Sequence, residues 1–285
     1  MFTCTTLLAT LASVTSATEL SLTVHDGASF EIALNGKPWL AGGDVQVGGL
    51  SSAAGTLVQA GAPTTSASAD ALGAYNATTF TWAKADDGAP LMRTSFRTYS
   101  ADPAVIVFEQ SFPSALNLTA LGAQRPLKIV GEAGRGSGAS YVATDPSGSA
   151  STLFPAFARG DGRASDGFAC FAYHGVFPQM KACTLKDYAE THQGGSPLVV
   201  YEPDAPGASA ASLRASVFSQ LTSAKALHLS SSALAVGVGV KATAAGVAAG
   251  WSALSILSAG DGVSAAMMAW GDKMLAFSGK AVIAC

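Results

Sequence analysis

The chain has 285 residues and a formal net charge of −3, and 12% of its residues are charged, about half of the roughly 25% usual in globular proteins. Its few Lys and Arg residues are scattered singly, which excludes the basic patch of a nucleic-acid-binding protein, so no nucleic-acid partner is expected. The length allows one large all-β domain or two small domains.

The N-terminus has the pattern of a secretory signal peptide. Leu7, Leu8 and Leu11 belong to a short apolar core, and Thr15-Ser16-Ala17 supplies small residues for cleavage after Ala17. No Lys or Arg precedes this core, so an apolar first strand is the alternative. We predict a signal peptide over residues 1–17 and a secreted, extracellular or endomembrane-lumen location.

Tight turns between short strands are predicted along the N-terminal part of the chain. Asp26-Gly27, Asn35-Gly36 and Asp87-Gly88 each lie between runs rich in β-branched and aromatic residues. Such dipeptides adopt positive φ at least cost, as two-residue hairpin turns require, so we predict antiparallel hairpins. Residues 48–74 are rich in Gly, Ser, Ala and Thr, which predicts a weak strand inside a long loop.

The following strands predict two packed sheets. Residues 105–112 are apolar at successive positions, which is typical of a central strand covered on both faces. Further short strands are predicted over 127–130, 167–173 and 197–201. The fold class that follows is all-β, an antiparallel two-sheet β-sandwich over residues 18–258.

A single helix is predicted after the strands. Asp261 is a good N-cap residue, and residues 262–277 have helical periodicity. One face of this helix forms an apolar stripe, predicted to cover the open end of the sandwich or to dock on a domain outside this chain: Val263, Met267, Trp270 and Met274. Residues 242–260 are uncharged, but Ala, Gly, Ser and Thr predominate, so no membrane span is predicted.

Two kinds of covalent modification are predicted. Asn76-Ala77-Thr78 and Asn117-Leu118-Thr119 are acceptor triplets for N-glycosylation. Cys170 and Cys183 would close a short loop as a disulfide, worth about 3 kcal/mol, or remain free buried thiols if the chain is not exported. The spacing of these cysteines from His174 and His192 is too loose for zinc, so no metal or cofactor site is expected.

Aromatic side chains are the candidates for carbohydrate binding, because a ring face packs well on the apolar face of a pyranose. Trp39, Trp82, Tyr173 and Tyr201 are the candidate stacking residues, with burial in the core as the alternative for each. Glycoside hydrolysis needs two carboxylates beside one bond, and the sequence does not show which acids converge. Glu109, on a strand expected to be buried, is predicted to pair with Arg93 or Arg97 as a structural ion pair.

The C-terminal third resembles a known family. Residues 248–251 begin a strand, Gly260-Asp261-Gly262-Val263 opens the helix, and Trp270-Gly271-Asp272 follows within it. This resembles the domain boundary in a eukaryotic family related to the α-galactosidase, raffinose synthase and α-glucosidase group of glycoside hydrolases. In that family an N-terminal β-supersandwich precedes a (β/α)8 barrel, and the W-G-D helix joins them. Residues 35–40 and the Phe112-Pro113 and Phe154-Pro155 turns also look like that sandwich.

The resemblance implies a sandwich without a catalytic centre. The family's catalytic carboxylates lie on the barrel, which takes about 250 residues, and here only Ala276 to Cys285 follow the matching helix. No catalytic residue is carried over, and residues 259–285 are expected to be a linker helix with a truncated C-terminus. The predicted function is that of a non-catalytic accessory domain of a secreted glycoside-hydrolase-like protein, with a carbohydrate or the missing barrel as partner. The alternatives are a free-standing carbohydrate-binding module and a surface or structural protein without a ligand.

Overall fold

The protein is a layered β structure with one helix near its C-terminus in the part that is described. The computed structural model describes residues 18–122, 127–128, 140–141, 151–159, 168–174, 177–182, 198–202, 214–222, 227–232, 237–242 and 246–279. The predicted signal peptide, residues 1–17, lies outside the described residues.

Strands account for most of the described residues. In chain order they are β1 (Leu20–Val24), β2 (Phe30–Leu34), β3 (Lys37–Gly42), β4 (Gln46–Val47), β5 (Leu50–Ser51), β6 (Leu57–Gln59), β7 (Thr64–Asp70), β8 (Gly73–Lys84), β9 (Pro90–Thr98), β10 (Val105–Ser111), β11 (Leu116–Asn117), β12 (Leu127–Lys128), β13 (Ser140–Tyr141), β14 (Ser151–Arg159), β15 (Phe168–His174), β16 (Phe177–Ala182), β17 (Leu198–Tyr201), β18 (Arg214–Thr222), β19 (Leu227–Ser232), β20 (Gly237–Ala242), β21 (Gly246–Val247) and β22 (Ser252–Asp261). Helix α1 spans Val263–Ser278, and short 3₁₀ turns cover Asp26–Ala28 and Thr119–Leu121.

All three predicted hairpins are present. Asn35 and Gly36 have φ of 51° and 73° and join β2 to β3 as a two-residue turn, because Leu34 pairs with Lys37. The other two connections are longer than predicted. Val24 pairs with Phe30 across the 3₁₀ turn at Asp26–Ala28, and β8 and β9 resume pairing beyond Asp87-Gly88.

The prediction of one weak strand inside a long loop over residues 48–74 is wrong in the number of strands. The segment contains β5, β6 and β7, and both β6 and β7 pair with β8. Strand β7 is exposed along almost its whole length, so it lacks the alternation of apolar and polar residues that marks a half-buried strand. Its backbone hydrogen bonds to β8 hold it in place.

Two large antiparallel sheets dominate the described residues. The first sheet has eight strands in the order β1-β2-β3-β14-β20-β19, with β4 and β5 added beside β14. The second has ten strands in the order β16-β15-β17-β18-β22-β10-β9-β8-β6, with β7 also paired to β8. Phe154 and Pro155, predicted as a turn, lie inside β14, where the register shifts between Leu153 and Ala156. These sheets confirm the all-β, two-sheet prediction.

The core lies between the two sheets and is rich in aromatic rings. Phe30 of the first sheet contacts Phe96 and Phe108 of the second, with ring centroids 5.4 and 5.6 Å apart. Phe154 of the first sheet packs edge-on against Phe96 at 5.3 Å. Strand β10, predicted as central, runs between β9 and β22 and is buried over most of its length. Edge-to-face aromatic contacts of this kind fix the two sheets together.

Helix α1 follows β22 almost without a connection. Its N-cap is Gly262 at φ 89°, not Asp261, and no side chain caps it. Asp261 is still part of β22, opposite Arg214, and its carboxylate accepts a hydrogen bond of 2.6 Å from Thr18 Oγ1, so it cannot cap the helix. Among the described residues, no helix combines the length and the apolar character needed to cross a bilayer.

Candidate functional site

The outer face of the second sheet carries a cluster of charged and phenolic side chains. Side chains alternate between the two faces of a strand, so Arg97 and Tyr99 project away from the core side marked by buried Phe96. We call the set formed with their neighbours the outer-face cluster: Asp70, Tyr75, Arg97, Tyr99 and Glu109.

Arg97 is the centre of the outer-face cluster. Its Nη1 donates to Asp70 Oδ2 at 2.9 Å, and its Nη2 donates to Glu109 Oε2 at 2.5 Å. Only 11% of the Arg97 side chain is exposed, against 14% for Asp70 and 22% for Glu109. Burial alone lowers the pKa of Arg97, but the bonds to Glu109 and Asp70 outweigh it and raise the pKa above its usual value. One guanidinium therefore ties β7, β9 and β10 together.

Two tyrosines complete the outer-face cluster. The Tyr75 ring lies under the Arg97 guanidinium, with 4.7 Å between Cζ and the ring centroid. The Tyr99 hydroxyl donates to Asp70 Oδ2 at 2.7 Å. Burial raises the pKa of Tyr99 well above its usual value, and the hydrogen bond to Asp70 and the charge of that carboxylate raise it further. Tyr99 is thus held as a neutral donor at physiological pH.

A second charged group contacts both sheets. Arg214 donates to both oxygens of Glu202, at 2.9 Å from Nε and 2.7 Å from Nη2, and to the backbone oxygen of Leu34 at 3.1 Å. Its guanidinium also lies 5.5 Å from the ring centroid of Trp39. The planar fork of arginine matches the two-point contact with Glu202. The third bond of Arg214, to Leu34 of β2, links the second sheet to the first.

A buried carboxylate organises the turn around β4 and β5. Asp44 accepts from the Gln46 side-chain amide at 2.8 Å, from the hydroxyls of Ser51 and Ser52 at 2.9 and 3.1 Å, and from the Ala53 backbone at 3.2 Å. Several donors on one carboxylate offset the cost of removing it from water. This arrangement fixes a turn and leaves little of the carboxylate for other bonds.

The acids of the outer-face cluster suit a structural role better than acid–base catalysis. A glycosidase needs two carboxyl groups that face the scissile bond, one of them able to hand over a proton. Asp70 and Glu109 instead converge on the Arg97 guanidinium, and Asp70 also binds Tyr99 and the Leu72 backbone. The predicted structural pairing of Glu109 with an arginine is confirmed, and the partner is Arg97.

Two of the predicted sugar-stacking residues are in the core. Trp39 is 0% and Trp82 1% exposed, and their indole nitrogens donate to Ser216 Oγ and Thr94 Oγ1 at 2.7 and 2.8 Å. Neither ring can present a face to a sugar, so the prediction is wrong for both. Tyr201 is half-buried beside α1. The side chain of Tyr173 lies outside the described residues.

The predicted docking stripe of α1 packs on the protein's own sheet. Val263, Met267 and Trp270 contact an apolar cluster formed by Val199, Ala215, Val217 and Ala266. Trp270, Met274 and Phe277 contact a second apolar cluster. This second cluster contains Tyr99, Val105, Val107 and Ile256. The stripe therefore covers the outer face of β17, β18, β22 and β10, and the prediction that it faces an absent domain is wrong.

The predicted modification sites are only partly described. Asn76, in β8, and Asn117, in β11, are both exposed, and the Asn117 side chain accepts from the Ala120 backbone at 3.2 Å. Cys183 and the side chain of Cys170 lie outside the described residues, so the disulfide stays a prediction. Within the part of the chain that is described, no three His, Cys, Asp or Glu side chains form a metal-binding group.

Sequence reasoning missed most of the outer-face cluster. It paired Glu109 with an arginine but did not include Asp70, Tyr75 or Tyr99. The available signal was the spacing of two between Arg97, in β9, and Tyr99, directly after it, which places both side chains on the same face of the extended chain. Asp70 is beyond such reasoning, because the small, exposed residues of β7 carry no pattern that sets its bounds or its pairing.

Comparisons with known proteins give little further information. No family model matches the chain, and no curated protein matches it. The crystal structure of a β-arabinopyranosidase is similar at a TM-score of 0.39 and 12% identity, over 86% of this chain. The chain spans 38% of the length of that protein. A similarity of this size does not assign the chain to a family.

Proposed function

We propose that this chain is a non-catalytic accessory β-sandwich of a secreted glycoside-hydrolase-like protein. The observation that carries the proposal is that the buried carboxylates are already bonded to other groups of the protein. Each carboxylate that is largely buried in the described residues is bonded to a cation or to several donors of the protein itself: Asp44, Asp70, Asp102, Glu109 and Glu202. Such acids stabilise a scaffold and are poorly placed to attack or protonate a glycosidic bond.

The accessory part of the proposal is supported by the helix that resembles an inter-domain linker. Trp270, in the Trp270-Gly271-Asp272 motif, anchors α1 to the sheet, and Lys273 binds Asp102. On the opposite side of α1, Met268 is 72% exposed, the most exposed large apolar side chain of the described residues. Met268 is the large apolar side chain that a neighbouring domain could cover on this side of α1, where Ser264, Ala265, Asp272 and Ala276 are also exposed.

Hydrolysis of aryl-galactosides and aryl-glucosides by the purified chain tests the proposal. We expect release of the aryl group at the rate of buffer alone, and the same rate for the matched variants Asp70→Asn and Glu109→Gln. Saturable release by the wild type that is lost in either variant, with the fold intact by circular dichroism, would overturn the proposal. It would show that an acid of the outer-face cluster takes part in catalysis.

A binding measurement separates the accessory domain from a carbohydrate-binding module. Isothermal titration with galactosides, glucosides and arabinosides is expected to show no saturable heat for the isolated chain. The structure weakens the module hypothesis, because Trp39 and Trp82 are covered by the core. Saturable binding to one sugar class would replace the accessory role with that of a free-standing module.

A further inference from the structure

In the part of the chain that the structure describes, strand β7 is an edge strand without the usual protection. Among the described residues it pairs with β8 on one side and with no strand on the other. Its residues 64–69 are Thr, Thr, Ser, Ala, Ser and Ala, all exposed, and none is charged. Soluble proteins usually shield such an edge with charges, proline, a bulge or a covering segment, because a free edge pairs with other chains.

Asn76 lies on the strand next to this edge, opposite its middle. It pairs with Ala67 of β7 on one side and with Thr98 of β9 on the other. By alternation its side chain projects from the same face of β8 as Phe80 and Trp82. Phe80 and Trp82 are buried in the core, whereas Asn76, farther along the same face, is exposed. The side-chain amide of Asn76 makes no hydrogen bond to a described residue.

The exposure of Asn76 leaves room for a bulky modification of its side chain. Asn76 and Thr78 lie two residues apart on one extended strand, so their side chains share a face. We propose that Asn76 carries an N-linked oligosaccharide that covers β7 and keeps its free edge from pairing with another chain. The inference rests on the secretory part of the proposed function, because lumenal proteins meet the enzyme that attaches such glycans.

The modification is a substitution at a sugar carbon. The donor is an oligosaccharide joined through its anomeric carbon to a lipid pyrophosphate. Asn76 Nδ2 forms a C–N bond to that carbon as the C–O bond to the pyrophosphate breaks. Nδ2 loses one proton and the lipid pyrophosphate leaves. Adjacent strands are about 4.8 Å apart, so a branched oligosaccharide on Asn76 extends over β7.

Matched variants separate the glycan from the side chain that bears it. Asn76→Gln removes the acceptor, and Thr78→Val removes the hydroxyl while Asn76 stays. Thr78→Ser keeps the acceptor triplet. Asn117→Gln removes the other triplet, whose Asn117 ends β11, a strand paired with β21 in a separate sheet from β7. The full chain is secreted from a eukaryotic host and studied by intact mass, peptide mapping and size-exclusion chromatography.

We expect an oligosaccharide mass on the peptide with Asn76 in the wild type and in Thr78→Ser. That mass should be absent from Asn76→Gln and Thr78→Val, and these two should lose monomer several-fold faster on storage. Asn117→Gln should lose monomer at the wild-type rate.

Three results would overturn the inference. If Asn117 alone is glycosylated, the chain enters the lumen but Asn76 is not the acceptor. If Asn76 is glycosylated and Asn76→Gln stays as monomeric as the wild type, the glycan does not shield the edge. If neither triplet carries a glycan, no oligosaccharide covers the edge. A bare chain that never enters the lumen also contradicts the secretory part of the proposed function, whereas a secreted chain with both sites bare does not.

Discussion

Replacement of Trp270 by alanine removes the side chain that contacts both apolar clusters beneath α1. A tryptophan buries about 150–250 Å² when fully covered, and well over half of Trp270 is covered, so the substitution removes roughly 100–150 Å² of buried surface. At about 25 cal/mol per Å² this costs roughly 2.5–4 kcal/mol. Alanine is the better helix former, so the loss cannot come from weaker helix propensity.

The assay is equilibrium unfolding in urea, followed by far-ultraviolet circular dichroism. We expect Trp270→Ala to lower the free energy of unfolding by about 2.5–4 kcal/mol, or the Tm by roughly 5–16 °C for a domain of this size. Met268→Ala, on the exposed side of α1, is the matched control and should change stability by less than about 0.5 kcal/mol. Equal small effects of both substitutions would refute the packing of the stripe on the sheet.

Two further predictions concern backbone packing and pH. A Cβ at Gly260 would lie 2.5 Å from the Ala266 nitrogen, so Gly260→Ala should displace α1 and cost about 1–3 kcal/mol in urea unfolding. Gly271→Ala, where a Cβ meets nothing within 4 Å, should stabilise α1 by about 0.5–1 kcal/mol; a loss at Gly271 equal to that at Gly260 would contradict this reasoning. The pKa of Tyr99 is raised in the folded state, so its contribution to stability is complete below the unfolded pKa of about 10 and is lost as the pH rises above it. Between pH 9 and pH 11 the wild type should therefore lose about 1.4 kcal/mol more than Tyr99→Phe, and parallel pH profiles would show that Tyr99 is not held neutral.

The sequence predicted the parts of the fold that depend on local conformation and burial. Asn35-Gly36 adopts positive φ at both residues and joins two strands, as the dipeptide requires. Residues 105–111 form a covered central strand, as their continuous apolar pattern predicts. In both cases the determining physics acts within a few residues of the chain.

The parts that were missed depend on contacts between distant residues. Strand β7 has small exposed side chains, and only its pairing with β8 shows it to be a strand. Trp39 and Trp82 have the residue type of a sugar platform, but the opposite sheet covers them. The helical periodicity correctly predicted α1. The surface that its stripe covers depends on how β17, β18, β22 and β10 are placed in the sheet, which the local sequence does not show.

A double-mutant cycle on Arg97 and Glu109 tests most directly whether the outer-face acids serve as structural ties. The free energy of unfolding is measured for the wild type, Arg97→Met, Glu109→Gln and the double variant, and the cycle with exposed Arg93→Met in place of Arg97→Met is the control. A charge-assisted hydrogen bond of 2.5 Å between side chains 11% and 22% exposed predicts a coupling energy of about 1–2 kcal/mol. A coupling no larger than that of the Arg93 cycle would contradict the account, because Glu109 would then be free for another role.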